Sequence, residues 1–332
     1  MWRLESAPPA TEQGAWAGRG AAASFRGAFA PRRAAMTDPL RILHVSDLHC
    51  GRPFVSAHVE AALAVAREGP WAAVVMSGDF SQRARVHEFE AARQLVERFR
   101  ALAPTLVVPG NHDAAWWRAP FGFGDYTRVH ARYRAFIDPE LEPTLRVPGV
   151  SLVGLNSAWG THPPSLTWYP RDWRVKGGLT DAQLADAHAR LAASPPGDLR
   201  LLVVHHNVVK GRLSRRWGLA RPTQVLDAVA AMPVEVVCTG HDHEERVEVI
   251  ERSTGRFVVS AANTLSSRMR GHRPSALNVI EATPEELRVT AWPFDGQRFA
   301  PGPMAVRVPR EALAVRPELR LPTSTAPAIL PT

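Results

Sequence analysis

Five short polar clusters each follow an apolar run. VSDLHCG places Asp47 and His49 two residues apart after ILHV. VVMSGD ends on Asp79, VVPGNHD on Asn111, His112 and Asp113, LLVVHHN on His205 and His206, and VVCTGHDH on His241, Asp242 and His243. Carboxylate, imidazole and amide oxygen or nitrogen together suit a divalent cation. In extended chain, residues two apart face the same way, so Asp47 and His49 can meet one ion. Gly78, Gly110 and Gly240 precede three of the clusters, and each would let the chain turn sharply and bring its polar successor close to a ligand. A single GD, NHD or HH is an ordinary turn, capped loop or buried pair. Five such turns in the same position relative to an apolar run point to a dinuclear metal site.

The elements that must position these turns can be read from the apolar spacing. Runs at 41–46, 72–77 and 105–108 predict strands, with helical periodicity at 58–67 and 86–102 between them. Further strands are expected at 145–155, 199–205 and 234–239, and helices at 180–193 and 223–231. After Gly240 the alternation stops, and 245–251, 256–261, 275–281 and 286–292 follow as consecutive strands. The pattern predicts one α/β domain with a mixed sheet, or with two sheets packed together. Ligands of open α/β sheets bind beyond the carboxyl ends of the strands, so the clusters would converge there.

Residues 1–35 show no sustained period, and the Arg32-Arg33 pair lacks the apolar run of an export signal. Residues 1–38 are expected to form a disordered extension, with Met36 as an alternative start. The Pro-rich stretch 301–332, ending in LPTSTAPAILPT, is expected to be a loosely held tail.

Of the 332 residues, 45% are hydrophobic and 22% charged, the balance of a soluble globular protein. An uninterrupted apolar run of about 18 residues is missing, which argues against a membrane-spanning helix. The two cysteines, Cys50 and Cys238, do not make a disulfide framework, and a cytoplasmic setting is expected. The net charge of +8 would fit a nucleic-acid partner. However, Lys176 and Lys210 are the only lysines, and the arginines are scattered apart from Arg212, Arg215 and Arg216. Arginine-rich, alanine-rich composition is what a GC-rich coding sequence produces, so a nucleic-acid partner is not expected.

The five clusters, in this order, resemble the calcineurin-like metallophosphoesterase superfamily, whose pattern is D-x-H, GD, GNH[DE], a histidine after an apolar strand, and GHxH. The resemblance covers about residues 40–295 and implies two mixed β-sheets packed as a four-layer sandwich flanked by helices, with the catalytic domain at 39–300. It implies two divalent metal ions, with manganese, iron and zinc equally suited to the ligands. Asp47, His49 and His243 would hold the first metal and Asn111, His205 and His241 the second, with Asp79 bridging. Neutral imidazoles and an amide complete the shells without adding charge that repels a phosphate. A water between two dications loses its proton near neutral pH and becomes the nucleophile. His112 would stabilise the phosphoryl group or protonate the leaving oxygen, and Asp113 would orient a neighbour. The common family form is HHP. Asn207 stands where that proline would be, which leaves both His205 and His206 open as the ligand. Cys50 and Cys238 are expected to serve packing.

SGDFSQRARVHEFEAARQLVERF followed by VVPGNHD is similar to the bacterial group that contains class III cyclic nucleotide phosphodiesterases, as is SSRMRGHRPSALNVIE. Arg268 and Arg270 there are expected to reach an anionic substrate. Trp116, Trp117, Phe121, Phe123, Tyr126, Trp159, Trp168, Tyr169 and Trp173 populate irregular segments that would carry a lid or pin long loops to the core. The expected function is hydrolysis of a small phosphodiester of cyclic nucleotide or glycerophosphodiester type. The alternatives are a pyrophosphatase on a lipid-linked or nucleotide diphosphate, a DNA nuclease, and a non-catalytic metal-binding scaffold. A scaffold would be free to lose ligands or His112, and both are retained.

Overall fold

β1 (Leu40–Val45) is apolar on both sides, and the fold uses both. In the computed structural model, which describes residues 39–52, 54–118, 128–160, 175–266, 268–271 and 273–313, Ile42 faces a second sheet while Leu43 and Val45 face helices. The first sheet has the order β12 (Ala305–Pro309), β11 (Glu286–Pro293), β10 (Ala276–Ala282), β1, β2 (Ala73–Met76), β3 (Thr105–Val107). The second has the order β4 (Thr144–Val147), β5 (Val150–Leu155), β6 (Leu199–Val204), β7 (Val236–Thr239), β9 (Gly255–Ala261), β8 (Arg246–Arg252). β1, β2 and β3 run parallel, as do β5, β6, β7 and β9, while the outer partners are antiparallel.

The parallel strands read as continuous apolar runs because both their faces are covered. Val75, Leu106, Leu201, Val203, Val236 and Val258 meet between the sheets. Outside the first sheet, α1 (Ser56–Arg67) and α2 (Val86–Arg100) supply Val59, Leu63, Phe89 and Phe99 to a second core. Outside the other sheet, α4 (Asp181–Ala192) and α5 (Pro222–Ala230) supply Leu184, Leu191, Val225 and Val229. α3 (Ala131–Phe136) is a short helix between β3 and β4. The result is the four-layer sandwich of two mixed sheets that the motifs implied. Thr180 starts α4 by accepting the Gln183 amide while Gln183 reaches back, a capping box.

Two expectations are corrected. The strand expected at 145–155 is two, because Gly149 turns the chain with φ 81° between β4 and β5. The ordered chain also continues past 300 into β12 and a 3-10 turn, Arg310–Leu313. The proline content hid the alternation of AVRVP, which pairs with β11 and buries Val308 between the sheets. The segments 1–38 and 314–332 lie outside the described residues, as do Phe121, Phe123, Tyr126, Trp168, Tyr169 and Trp173. Among the described residues, no helix is long and apolar enough to cross a membrane.

Arg310 fastens this C-terminal segment to the second sheet. Its guanidinium meets both Glu235 oxygens, at 2.6 and 3.1 Å, and donates to the Thr283 and Asp198 carbonyls. Both side chains are largely buried, so removing one partner strands a charge. Arg310→Ala is expected to lower unfolding free energy by roughly 3 kcal/mol, read by urea unfolding, with Arg310→Lys recovering only part because ammonium cannot make the forked contact. An unchanged midpoint would show that the clasp contributes nothing.

Candidate metal centre

All five clusters stand at the carboxyl ends of parallel strands: β1, β2 and β3 in one sheet, β6 and β7 in the other. The chain bends sharply there. Asp47, His49, Asp79, His241 and His243 all have φ between 46° and 70°, a region that costs a non-glycine residue roughly 1 kcal/mol or more. Backbone hydrogen bonds between the turns hold the strain: Asp47 N–H to Gly78 O at 3.0 Å and His49 N–H to Asp79 O at 2.9 Å. Of the three motif glycines only Gly78 has positive φ, at 98°. Gly110 and Gly240 are needed for space instead. A Cβ at Gly110 would collide with the Asp79 carboxylate, and one at Gly240 with Ser46 and Asp47.

Asp47, His49, Asp79 and His243 bring one ligand atom each within 4.8 Å of one another. His243 Nε2 lies 3.1 Å from Asp47 Oδ1 and 3.0 Å from His49 Nε2. The His243 Nδ1–H donates to the Arg268 carbonyl, so its Nε2 lone pair points into the cluster. Asp47 Oδ2 is taken by the Ser46 hydroxyl and the His241 amide, at 2.5 and 3.1 Å, which leaves Oδ1 inward.

A second group lies on the other side of Asp79. Asn111 Oδ1 is 3.2 Å from His205 Nε2 and 2.9 Å from His241 Nδ1. His205 Nδ1–H donates to Ser77 O at 2.7 Å and thereby turns its Nε2 inward. Asp79 divides its oxygens. Oδ1 accepts the His112 amide at 2.8 Å, while Oδ2 lies 3.6 Å from His49 Nε2 and 3.4 Å from His205 Nε2. One oxygen thus faces both groups. Once His205 gives up its proton, the lone pairs that converge here fit two divalent cations sharing a carboxylate.

The electrostatics are those of a buried, closely packed set. Burial alone would raise the Asp79 carboxyl, but His205, His112 and His49 hold it below the usual carboxylate range. Burial acts to lower the His205 imidazolium, yet Asp79 prevails and carries it up to about 9. Burial pushes His49 down to about 4 and His241, helped by the charge on His205, to about 3.

The neighbours sort out as follows. His206 is turned away: its Nε2–H donates to Val175 O at 3.0 Å and its Nδ1 accepts from Ser157 Oγ at 2.8 Å. His205 is therefore the histidine that the cluster receives. Asp113 accepts the amides of Phe80, Ser81 and Gly110 and the Ser81 hydroxyl, tying the β2 and β3 turns together. Burial and the Asp79 charge push it up to about 7 against those donors. His112 Nδ1–H donates to Gln82 O at 2.7 Å, and its Nε2 accepts from Arg268 Nη1 at 3.1 Å. Arg268 thus reaches the site, whereas Arg270 faces Asp242 at 3.7 Å instead. Cys50 and Cys238 are buried free thiols outside the ligand groups. Sequence reasoning missed Gln82, Ser77 and Ser46. Ser46 and Ser77 do stand beside motif residues, but a serine there carries no signal of its contacts.

Residues 40–245 match the calcineurin-like phosphoesterase family, and the chain belongs to it. No curated protein matches the chain in sequence. Among solved structures, the purple acid phosphatase PPD1 from yellow lupin (Lupinus luteus) seeds superposes with a TM-score of 0.60 at 11% identity, over 88% of this chain and 58% of that one. The chain thus spans little more than half the length of the lupin protein. PhoD superposes with a TM-score of 0.55, also at 11% identity, over 82% of this chain and 69% of that one. At such identity the likeness is one of fold.

In the metal-free protein His205 holds its proton below about pH 9 and must shed it to bind an ion. Apparent manganese affinity is therefore expected to rise about tenfold per pH unit below about pH 9 and to level off above it. Calorimetric titration in buffers of different ionisation enthalpy should find close to one proton released per chain at neutral pH. Affinity that does not change with pH would contradict the His205–Asp79 pairing.

Proposed function

We propose that this protein is a metal-dependent phosphodiesterase acting on a small diester of cyclic nucleotide or glycerophosphodiester type. The observation that carries the reading is the pocket beside His112. It measures about 530 Å³ and is lined by Gln82, Arg83, Asn111, Trp116, Trp117 and Arg268, among others. A monoester needs room for one substituent, whereas a diester needs room for two. A pocket of this size, with aromatic walls and a few polar groups, suits a small organic substituent next to the ligand cluster.

Asp47, His49 and His243 would hold one divalent cation and Asn111, His205 and His241 the other, with Asp79 between them. Bound there, the cations would supply Lewis-acid charge and a nucleophile from water at neutral pH. The chain's own residues do the rest. Arg268 directs a guanidinium N–H at the place where His112 Nε2 faces the pocket. A phosphoryl oxygen entering between them takes that N–H and leaves Nε2 free to take a proton from solvent water and pass it to the leaving oxygen. The Gln82 carbonyl fixes the His112 ring throughout by holding Nδ1–H. Arg268 also meets charge that builds on the phosphoryl oxygens in the transition state. Arg270, paired with Asp242, has no such part. Two free, buried thiols fit a cytoplasmic setting.

Metal-stripped protein, reloaded with manganese, iron or zinc, should hydrolyse bis(p-nitrophenyl) phosphate faster than p-nitrophenyl phosphate. His112→Ala is expected to lower kcat about 100-fold or more with metal content unchanged, and Arg268→Ala to raise KM for the diester. Cleavage of the monoester alone would overturn the diesterase reading. Turnover of neither, with both metals bound, would overturn it in favour of diphosphate substrates or a scaffold.

A further inference from the structure

Many of the arginines that look scattered in sequence fall on two loops that leave the same strand ends as the ligand cluster. The loop after β6, residues 205–221, carries Lys210, Arg212, Arg215, Arg216 and Arg221 and no acidic residue. The loop after β9, residues 262–275, carries Arg268, Arg270 and Arg273 and no acidic residue. The acids on the loop after β7 lie behind this rim, with Asp242 and Glu244 buried. They and Glu248 pair with Arg270, Arg273 and Arg212, through Asp242, Glu245 and Glu248 respectively. The Arg273–Glu245 and Arg212–Glu248 pairs are part-exposed, weak in water, and leave a guanidinium able to exchange its partner for a phosphate.

Set among these charges are large apolar side chains in water. Leu213 is 44% exposed, Met269 40% and Trp117 45%. Leu213 sits within RLSRR and Met269 within RMR, so each aliphatic tip is flanked by arginine. The two loops touch: a Cβ at Gly271 would lie 3.8 Å from Leu213 Cδ1. Trp117 and Arg268 line the same pocket, so the patch borders the site.

We infer that this rim docks the mouth of the metal centre on an anionic phospholipid surface, with Leu213 and Met269 entering the acyl boundary and the arginines on lipid phosphates. Arginine stems lie along apolar surface while their heads stay with the phosphates, and a tryptophan suits the same boundary. A nucleic acid would use the arginines and Trp117, but it offers nothing for aliphatic tips, since bases stack on aromatic rings. The docking stands independently of the diesterase reading, because binding is measured without turnover.

The test is co-sedimentation of the full chain with vesicles of phosphatidylcholine alone or mixed with phosphatidylglycerol, at low and high salt. Binding to the anionic vesicles should exceed binding to the neutral ones by about tenfold or more and fall with salt. Leu213→Ser/Met269→Ser and Arg215→Ser/Arg216→Ser should each weaken it about tenfold, with metal content and hydrolysis of soluble bis(p-nitrophenyl) phosphate unchanged from wild type. Equal binding to both vesicle types, or variants that bind as wild type does, would overturn the proposal. So would an oligonucleotide bound more tightly than the vesicles and insensitive to the Leu213/Met269 change, which would assign the rim to nucleic acid.

Discussion

The Asp79 carboxylate is the interaction on which the site depends. It is buried, and a buried anion without partners is costly. Each of its oxygens has a separate task. Oδ1 is committed to the His112 amide, and Oδ2 lies between His49 and His205. Because one oxygen faces two groups of side chains, each drawn from both sheets, the position of Asp79 fixes where the two halves of the site meet. In the metal-free protein the proton on His205 compensates this charge. Two dications would compensate it more fully, and the remaining ligands are mostly neutral, so the loaded site would keep positive charge for a phosphate.

Holding Asp79 there requires strained backbone, and the strain is borne by the sandwich rather than by the turns themselves. The ends of β1 and β2 are tied by amide hydrogen bonds, and Leu265 N–H reaches both Ser46 O and Asp47 O from the loop after β9. Beneath them runs a polar column through an otherwise apolar inter-sheet layer. Asn278 donates to Ser260 at 2.9 Å, and His44 joins Ser260 Oγ to Ser77 Oγ, at 2.9 Å on each side. Ser77 in turn offers its carbonyl to His205. Burial keeps His44 neutral, at about 3, so the column places no extra charge beneath Asp79. The bonds made by the Asn278 amide N–H, Ser260, both His44 nitrogens and Ser77 favour one arrangement of the two sheets where apolar packing alone would tolerate several.

Much of this was legible because parallel strands buried on both faces leave long apolar runs, and polar residues directly after such runs stand out. That placed the seven candidate ligand residues beyond the strand ends and located both central strand sets. It did not reveal which way a ring turns. His205 and His206 are adjacent and equally buried, and only Ser157 and Val175, from distant loops, decide that His206 faces away. Arg268 and Arg270 are alike in sequence, but Asp242 holds one and His112 receives the other. Gly110 and Gly240 read as turns and prove to be gaps for carboxylates, a tertiary fact that no local pattern carries. β12 was hidden because prolines flank a short alternation, and its reason for ordering, the Arg310–Glu235 clasp, lies 75 residues away in sequence.

The loop after β9 therefore has more influence on specificity than its length implies. The turns that carry the candidate ligands are fixed by the sheets and by one another. Arg268 is different, because its two ends meet different parts of the site. Its carbonyl fixes the His243 tautomer and so the nitrogen that faces Asp47 and His49, while its guanidinium sits on His112 at the edge of the pocket. A change in the path of residues 262–275 would move both at once. Selection among phosphoesters can thus be altered through this one segment while the Asp79 carboxylate stays where the sandwich puts it.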